Sequence, residues 1–202
     1  MNKINAVIFD YGGVLIDWNP YYLYRKLLVN DTEIARFLQE IDFKNWNYEF
    51  DKGYPFEQGL AEMMSKYPQH SQLIKTYGER WLETIGVTFD ETIQLVKEVK
   101  EKGYRVFGLS NWSAEKFKIV RPKYEFFNLF EDMVISGEVK AVKPDAQIYR
   151  ILLERNGLNA EECLYIDDSE DNIRGGRQVG LNTIQYQSSR LLRDALQAYG
   201  IL

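Results

Sequence analysis

Cysteine and histidine are scarce in this sequence, with one of each among 202 residues. Cys163 has no partner for a disulfide within the chain, and His70 alone excludes any mechanism that needs two histidines. No apolar run approaches the roughly 18 residues that a membrane span needs, and the first residues turn polar too soon for an export signal. These absences predict a cytoplasmic protein that does not enter a membrane.

Basic residues are fewer than acidic residues. The chain has 25 Lys and Arg against 30 Asp and Glu, a formal net charge of −5. Binding a nucleic acid backbone needs a surplus of basic residues on one face. Apolar residues make up 45% of the chain, which is enough to bury a core. We therefore expect a globular protein that does not bind nucleic acid.

What the sequence does contain is an alternation of short apolar runs with helical patterns. Strands separated by helices of this length predict an α/β core, a Rossmann-like parallel sheet with helices on both faces. Strands are expected at 4–9, 104–109, 133–135, 164–166 and 182–186. Helices are expected at 88–102, from Pro144 to Gly157, between 169 and 179, and at 189–202.

The segment 17–87 departs from this alternation. It holds 14 of the chain's 29 aromatic residues and shows helical spacing at 21–29, 32–40, 56–66 and 71–85, with no buried strand. We expect it to form a small helical cap domain inserted after the first strand. Residues 1–16 and 88–202 would together form the core domain, and most of the aromatic rings would pack the cap.

Polar residues follow the predicted strands of the core. In an open parallel sheet, ligands bind beyond the carboxyl ends of the strands. Each polar cluster alone has a simpler explanation, such as a helix cap or a solvated lysine, but together they predict a site. The clusters are Asp10, Ser110 with Asn111, Lys143, and the adjacent acids Asp167 and Asp168.

Asp10 is a candidate nucleophile for phosphorus, since a carboxylate can divide a difficult hydrolysis into two displacements. Mg²⁺ would offset the repulsion between this acid and an anionic phosphate ester, and it needs only one or two protein carboxylates. Asp10, Asp168 and the backbone carbonyl of Gly12 could supply its protein ligands. The donors expected for the other phosphate oxygens are Ser110, the backbone N–H of Asn111, and Lys143.

Four stretches of the sequence resemble the four ordered motifs of the haloacid dehalogenase superfamily. The resemblance covers essentially the whole chain, and motif order, spacing and residue type agree at all four places. The chain is most similar to the branch of small bacterial sugar phosphatases typified by α-D-glucose-1-phosphate phosphatase. The stretches are FDYGGVLID (9–17), LSN (109–111), VKPDAQIY (142–149) and YIDDSEDNIRGG (165–176).

The resemblance implies a Mg²⁺-dependent phosphatase that acts on a small phosphorylated metabolite, such as a sugar phosphate, through an aspartyl-phosphate intermediate. By motif position, Asp10 would be the nucleophile and a metal ligand, and Asp168 would be the acidic metal ligand. Ser110 and Asn111 would bind phosphate, and Lys143 would bridge the nucleophile and the phosphate.

Three further polar residues of the last motif have roles that the resemblance leaves less defined. Asn172 occupies a position where many relatives carry an acid that holds metal-bound water. Asp167 and Asp171 could support the metal site from behind its ligands. Asp171 could instead simply favour the start of its helix.

Gly12 departs from the pattern of most phosphatases in this superfamily, which carry an aspartate there as general acid and base. A metal contact through the Gly12 carbonyl survives this difference, but the proton donor does not. Losing such help typically costs about 10²–10⁴-fold in rate. Either the leaving group needs little protonation, as in an anomeric sugar phosphate, or an acid comes from the cap or from water.

Two other functions stay open. Gly12 also fits a catalytically weak or inactive member of the superfamily that binds a phosphorylated metabolite or a protein through its cap. A 2-haloacid dehalogenase is less favoured, because Tyr11 lies one residue after Asp10 instead of two. Those metal-free enzymes also usually lack paired acids such as Asp167 and Asp168.

Substrate choice is expected to depend on residues of the cap and of the loops that face it. For each aromatic ring among the candidates, simple packing is at least as good an explanation. The sequence leaves the natural substrate and the number of subunits open. The candidates are Trp18, Asn19, Trp46, Asn47, Tyr48 and Trp112.

Overall fold

The protein is described by a computed structural model that covers residues 3–202. The strands are β1 (Ala6–Phe9), β2 (Ile16–Trp18), β3 (Ile85–Thr88), β4 (Arg105–Ser110), β5 (Asp132–Ile135), β6 (Cys163–Asp167) and β7 (Asn182–Gln185). Five of them form one sheet in the order β5-β4-β1-β6-β7, and every neighbouring pair in it is parallel. The predicted parallel α/β sheet is therefore confirmed.

Helices fill the connections between these strands. They are α1 (Tyr21–Tyr24), α2 (Asp31–Glu40), α3 (Phe43–Asp51), α4 (Phe56–Lys66), α5 (Ser71–Glu79), α6 (Asp90–Glu101), α7 (Ala114–Val120), α8 (Ser136–Val139), α9 (Ala146–Asn156), α10 (Glu170–Gln178) and α11 (Ser189–Ala198). Helix α9 ends at Gly157 with φ of 61°, as the glycine predicted. Among the described residues, no helix has both the length and the apolar character needed to cross a bilayer.

The sheet is covered on both faces, because successive side chains of a strand point to opposite sides. In β1, Val7 and Phe9 lie in a hydrophobic core with residues of α6 and α11. Ala6 and Ile8 lie in a second core with residues of α9 and α10. The continuous apolar character of β1 thus follows from burial on both sides.

The segment 17–87 contains helices α1 to α5, but it differs from the prediction in four places. The helix predicted at 21–29 is limited to α1, Tyr21–Tyr24. Strands β2 and β3 pair antiparallel where the chain enters and leaves this segment, although no strand was expected. The helix predicted at 71–85 ends at Glu79 and is followed by a 3₁₀ turn, Trp81–Thr84, and by β3. Helix α3 was not predicted. The division of the chain into a core domain and a cap domain stays a prediction.

Aromatic rings fill the interior of the helical segment. Phe43, Trp46 and Phe50 project from α3 and pack with Phe56 and Tyr77, with ring centroids 4.2 Å apart for Phe50 and Phe56 and 5.2 Å apart for Phe43 and Tyr77. Such ring contacts add to the stability gained from burying apolar area. Most of the aromatic excess in this segment therefore packs its interior.

The connectivity of the sheet brings polar residues to one place. Strand β1 is central, the chain continues to β4 and β5 on one side, and it then crosses to β6 and β7 on the other. The carboxyl ends of β1, β4 and β6 thus meet where the strand order reverses. Ligands of open α/β sheets bind in the crevice at such a point.

Candidate active site

The polar clusters predicted at the strand ends come together at this crevice. Asp10 follows β1, Ser110 ends β4 and Asp167 ends β6. Lys143 reaches them from the loop between α8 and α9. Its ammonium lies 2.9 Å from Asp10 Oδ1 and 2.6 Å from Asp167 Oδ2.

Lys143 is buried and held on several sides. Its side chain is 1% exposed, and Nζ also donates to the backbone carbonyl of Leu109 at 3.0 Å. Burial lowers the pKa of Lys143, but the adjacent Asp10 and Asp167 carboxylates outweigh burial and raise that pKa above its ordinary value. The ammonium therefore keeps its positive charge at the floor of the site.

Asp167 accepts hydrogen bonds on both of its oxygens. Besides Lys143, its donors are the Tyr165 hydroxyl, the Ser169 backbone N–H at 2.8 Å and the Asn172 side-chain amide at 3.1 Å. Burial alone would raise the pKa of Asp167, but Lys143 and the hydrogen bonds from Tyr165 and Ser169 hold it below its usual range. The charged form of Asp167 is thus favoured beside Lys143, and the Asn172 amide also donates to Asp167.

Asp10 has one engaged oxygen and one available oxygen. Oδ1 accepts from Lys143 and from the Tyr11 backbone N–H at 2.7 Å, whereas Oδ2 has no hydrogen-bond donor among residues 3–202. Burial raises the pKa of Asp10 to about 7, Lys143 opposes that rise, and the negative charges of Asp167 and Asp168 add to it. The site therefore carries more negative charge than Lys143 alone can balance.

The carboxylates of Asp10, Asp167 and Asp168 form a cluster whose facing oxygens lie within 4.8 Å of one another. Burial and the neighbouring Asp167 raise the pKa of Asp168. The loop after Asp10 approaches closely, because a Cβ at Gly13, where φ is 73°, would lie 2.5 Å from Asp168 Oδ2. Only glycine fits there. Hard oxygen ligands with excess negative charge fit a divalent cation such as Mg²⁺.

A cavity of about 120 Å³, here called the central cavity, opens beside this cluster. Six of the residues predicted for the site line it, namely Gly12, Trp18, Asn47, Ser110, Asn111 and Trp112. A second, adjoining cavity of about 570 Å³, here called the outer cavity, shares part of this lining and also includes Tyr48, Lys143 and Asn172. The predicted residues therefore surround a space next to the charged cluster.

The side chain of Asn111 is occupied by the backbone of Lys143. Oδ1 accepts from the Lys143 backbone N–H at 2.8 Å, and Nδ2 donates to the Lys143 carbonyl at 3.0 Å. Both polar groups of the amide are thus engaged in fixing Lys143. Only the backbone of Asn111 is left for a direct contact with phosphate.

Three further predicted residues, Trp46, Asn19 and Asp171, make local contacts of their own. Trp46 is 8% exposed within the aromatic interior, and its N–H donates to the Gly59 carbonyl at 3.2 Å. Asn19 accepts from the Tyr21 backbone N–H at 2.9 Å at the start of α1. Neither Trp46 nor Asn19 lines the central or the outer cavity, and a specificity role for them stays a prediction. Asp171 pairs with Arg174 in the first turn of α10 at the rim of the outer cavity, with 73% of its side chain exposed.

Four residues that line the central cavity were not among the candidates from the sequence: Asp51, Phe56, Trp81 and Ser113. Asp51 was missed because α3 was missed. Asn47 and Asp51 are four residues apart, so they share one face of a helix. Recognising a helix at 43–51 would have placed Asp51 beside Asn47, which was a candidate.

The chain resembles known proteins over most of its length. A family model described as haloacid dehalogenase-like hydrolase matches residues 4–180. A sesquiterpene phosphatase of Aspergillus oryzae is 27% identical over 190 residues, covering 87% of this chain and 86% of that protein. A phosphorylated carbohydrates phosphatase of Thermotoga maritima is 25% identical over 186 residues, covering 90% of this chain and 84% of that protein.

Solved structures show the same fold. A haloacid dehalogenase family enzyme from Bacteroides thetaiotaomicron, in complex with magnesium, superposes with a TM-score of 0.75. The match covers 95% of this chain and 100% of the other, at 22% identity. At this level of identity the likeness concerns the fold alone.

Proposed function

Since the chain belongs to the haloacid dehalogenase-like hydrolases, we propose that it hydrolyses phosphate esters of small metabolites, sugar phosphates above all, with the help of Mg²⁺. The observation that carries the proposal is the buried Lys143 ammonium fixed between Asp10 and Asp167 beside a cavity. A fixed positive charge next to a carboxylate with an available oxygen suits phosphoryl transfer. The two phosphatase relatives support this choice of reaction.

Asp10 is the nucleophile of the proposed reaction. Because Oδ1 is engaged by Lys143 and by the Tyr11 N–H, the attacking oxygen is Oδ2. Its attack forms a bond to phosphorus while the bond from phosphorus to the leaving oxygen breaks, which gives an aspartyl phosphate. Water then attacks this phosphorus, and Asp10 and inorganic phosphate are released.

The phosphate is held from the core side. Lys143 supplies charge, and the Ser110 hydroxyl, at the end of β4, supplies a donor on the wall of the central cavity. The Asn111 backbone N–H completes the set, while its side chain keeps Lys143 in place. Donors held rigidly before the reaction stabilise the charge that develops on the phosphoryl oxygens.

Asp10, Asp168 and the Gly12 carbonyl are the protein groups that would hold Mg²⁺. When bound, the cation would offset the charge of the carboxylates and of the phosphate. Asp167 and Asn172 support these groups without belonging to them, because Asp167 accepts from Lys143 and Asn172 donates to Asp167.

The lining of the central cavity favours a small substrate with hydroxyl groups. Trp18, Phe56, Trp81 and Trp112 supply ring faces that can pack against a sugar. The Trp18 N–H is buried without a hydrogen-bond partner in the described part of the chain, so a substrate oxygen could satisfy it. In this proposal 17–87 acts as the cap domain, since it contributes Trp18, Asn47 and most of the aromatic lining.

The experiment that tests the proposal is release of p-nitrophenol from its phosphate ester, with and without Mg²⁺, followed by a panel of phosphorylated metabolites. Asp10→Asn is the blank. We expect Mg²⁺-dependent turnover by the wild type that Asp10→Asn lacks. Equal release by the two proteins would overturn the proposal and favour the alternative suggested by Gly12, a protein that binds phosphorylated ligands without turning them over.

A further inference from the structure

Asp51 is the one ionisable side chain among the residues that line the central cavity. It is the last residue of α3 and lies one turn after Asn47, so both face the cavity from the helical segment. Gly12, Ser110 and Asn111 line the same cavity from the strand ends. The Asp51 carboxyl therefore faces the proposed phosphate-binding residues across the space that the leaving group would fill.

The proposed reaction needs a proton at this place. An alkoxide is a poor leaving group, so cleavage of an ordinary alkyl phosphate needs an acid beside the leaving oxygen. The other charged groups of the site have different tasks in the proposed reaction. Asp10 attacks, Asp168 would hold Mg²⁺, Lys143 stays charged between two carboxylates, and Asp167 is hydrogen-bonded on both oxygens. Gly12 has no side chain, and a Cβ built there would meet nothing within 4 Å.

The surroundings of Asp51 suit a group that both donates and accepts a proton. Burial raises the pKa of Asp51 to about 7, whereas the Lys143 ammonium and a hydrogen bond from the Ser113 backbone N–H oppose that rise. Efficient general acids have a pKa near the working pH, because both protonation states are then accessible. No strong ion pair holds Asp51 in its charged form among the described residues.

We infer that Asp51 is the general acid that protonates the leaving oxygen of the substrate, supplied by the helical segment in place of a residue at Gly12. The inference rests on the proposed phosphatase function and names a further catalytic residue for it.

The proton balance is complete in two displacements. As Asp10 Oδ2 bonds to phosphorus, the bond between phosphorus and the leaving oxygen breaks, and that oxygen takes the proton of the Asp51 carboxyl. The alcohol departs and Asp51 is left as a carboxylate. Water then attacks the aspartyl phosphate and gives its proton to Asp51, which restores both aspartates as phosphate is released.

The test compares three esters of similar shape and different leaving groups: p-nitrophenyl, phenyl and benzyl phosphate. In Asp51→Asn we expect kcat/KM for benzyl phosphate to fall by about 10²–10⁴-fold, because its alkoxide needs the proton most. For p-nitrophenyl phosphate we expect a loss of less than about tenfold, because p-nitrophenolate leaves without one. Glu49→Gln is the matched control, since Glu49 is on the same helix and pairs with the exposed Lys52.

A second variant separates the loss of a proton donor from a loss of folded structure in Asp51→Asn. Adding Gly12→Asp to Asp51→Asn places a carboxyl on the opposite wall, where a Cβ has room. We expect benzyl phosphate turnover to recover at least tenfold relative to p-nitrophenyl phosphate turnover by the same double variant. A double variant that stays as slow as Asp51→Asn on benzyl phosphate would overturn the inference.

The outcomes also separate this inference from the proposed function. If the wild type cleaves none of the three esters faster than Asp10→Asn, the phosphatase proposal fails and the role of Asp51 fails with it. If the wild type is active but Asp51→Asn loses the same factor on all three esters, or none on benzyl phosphate, only the role of Asp51 is rejected.

Discussion

The side chain of Asn111 holds the backbone of Lys143 through two hydrogen bonds, accepting from its N–H at 2.8 Å and donating to its carbonyl at 3.0 Å. The two residues are 32 positions apart in the chain, so these bonds tie the loop before α9 to the end of β4. The Lys143 ammonium also contacts the end of β4, where it donates to the backbone carbonyl of Leu109. The proposed electrostatic centre is thus fixed by backbone contacts as well as by ion pairs.

Removing this amide should loosen Lys143 and slow the reaction. Each lost hydrogen bond is worth about 0.5–1.5 kcal/mol, so Asn111→Ala should lower kcat on p-nitrophenyl phosphate by roughly 10- to 100-fold. Asn159→Ala is the control, because Asn159 is exposed, lines neither cavity, and its side-chain amide donates to Glu162. Unchanged kcat in a folded Asn111→Ala would show that the amide does not position Lys143.

Lys143 should also matter for stability, apart from any catalysis. Replacing it by Met leaves Asp10 and Asp167 buried without a cation, and breaking a buried pair in this way costs about 3–5 kcal/mol. We expect the free energy of unfolding in urea, measured without divalent ions, to fall by about that amount. Lys52→Met, which removes a lysine from an exposed pair with Glu49, should change it by less than about 1 kcal/mol.

Replacing Tyr11 by phenylalanine should stabilise the folded protein. Its hydroxyl is buried and has no hydrogen-bond partner among the described residues, and its ring packs against Phe117, Phe127 and Phe130. Leaving such a group unsatisfied costs about 1–3 kcal/mol, so Tyr11→Phe should raise the free energy of unfolding by about 1 kcal/mol.

The matched control for Tyr11 is Tyr165, which is equally buried but donates its hydroxyl to Asp167. Tyr165→Phe should lower the free energy of unfolding by about 1.5–3 kcal/mol, because the lost bond has a charged acceptor. Urea unfolding of both variants gives the comparison. Destabilisation of the same size in both would mean that the Tyr11 hydroxyl has a partner after all.

Trp18 should contribute to substrate binding through its N–H. If a substrate oxygen accepts from this unpartnered group, Trp18→Phe should raise KM for the preferred metabolite by about tenfold and leave kcat nearly unchanged. Trp46→Phe is the control, since its N–H already donates to Gly59 away from both cavities. It should lower the unfolding midpoint without changing KM. Equal KM values for Trp18→Phe and the wild type would reject the contact.

The parts of this site that could be predicted are those attached to buried strands. Asp10, Ser110 and Asp167 follow apolar runs whose burial on both faces leaves little doubt about where each strand ends. Parallel pairing then brings those ends together whatever the helices do. Lys143 was placed by its motif, and the structure shows that burial against two carboxylates is what fixes it.

The parts that could not be predicted depend on contacts distant in sequence or on weak local signals. Phe43, Trp46 and Phe50 have helical spacing. Asp42, the residue before α3, has φ of 50° and makes no side-chain cap, so the start of the helix has no recognisable signal. Without that helix, Asp51 is only one acid among thirty. Strands β2 and β3 are three and four residues long and partly exposed. They are too short for an alternation of apolar and polar residues to be recognised.

The carboxylate cluster should make stability depend on Mg²⁺. A cation that binds only the folded protein stabilises it by about 2.7 kcal/mol at a concentration 100 times its Kd, so the unfolding midpoint should rise as MgCl₂ is added. Asp168→Asn removes one of three clustered carboxylates and should abolish most of the rise. Asp171→Asn, which removes an exposed acid three residues further on, should leave the rise intact. An equal rise in Asp168→Asn and the wild type would place the bound cation elsewhere, and Asp168 would then have no part in holding it.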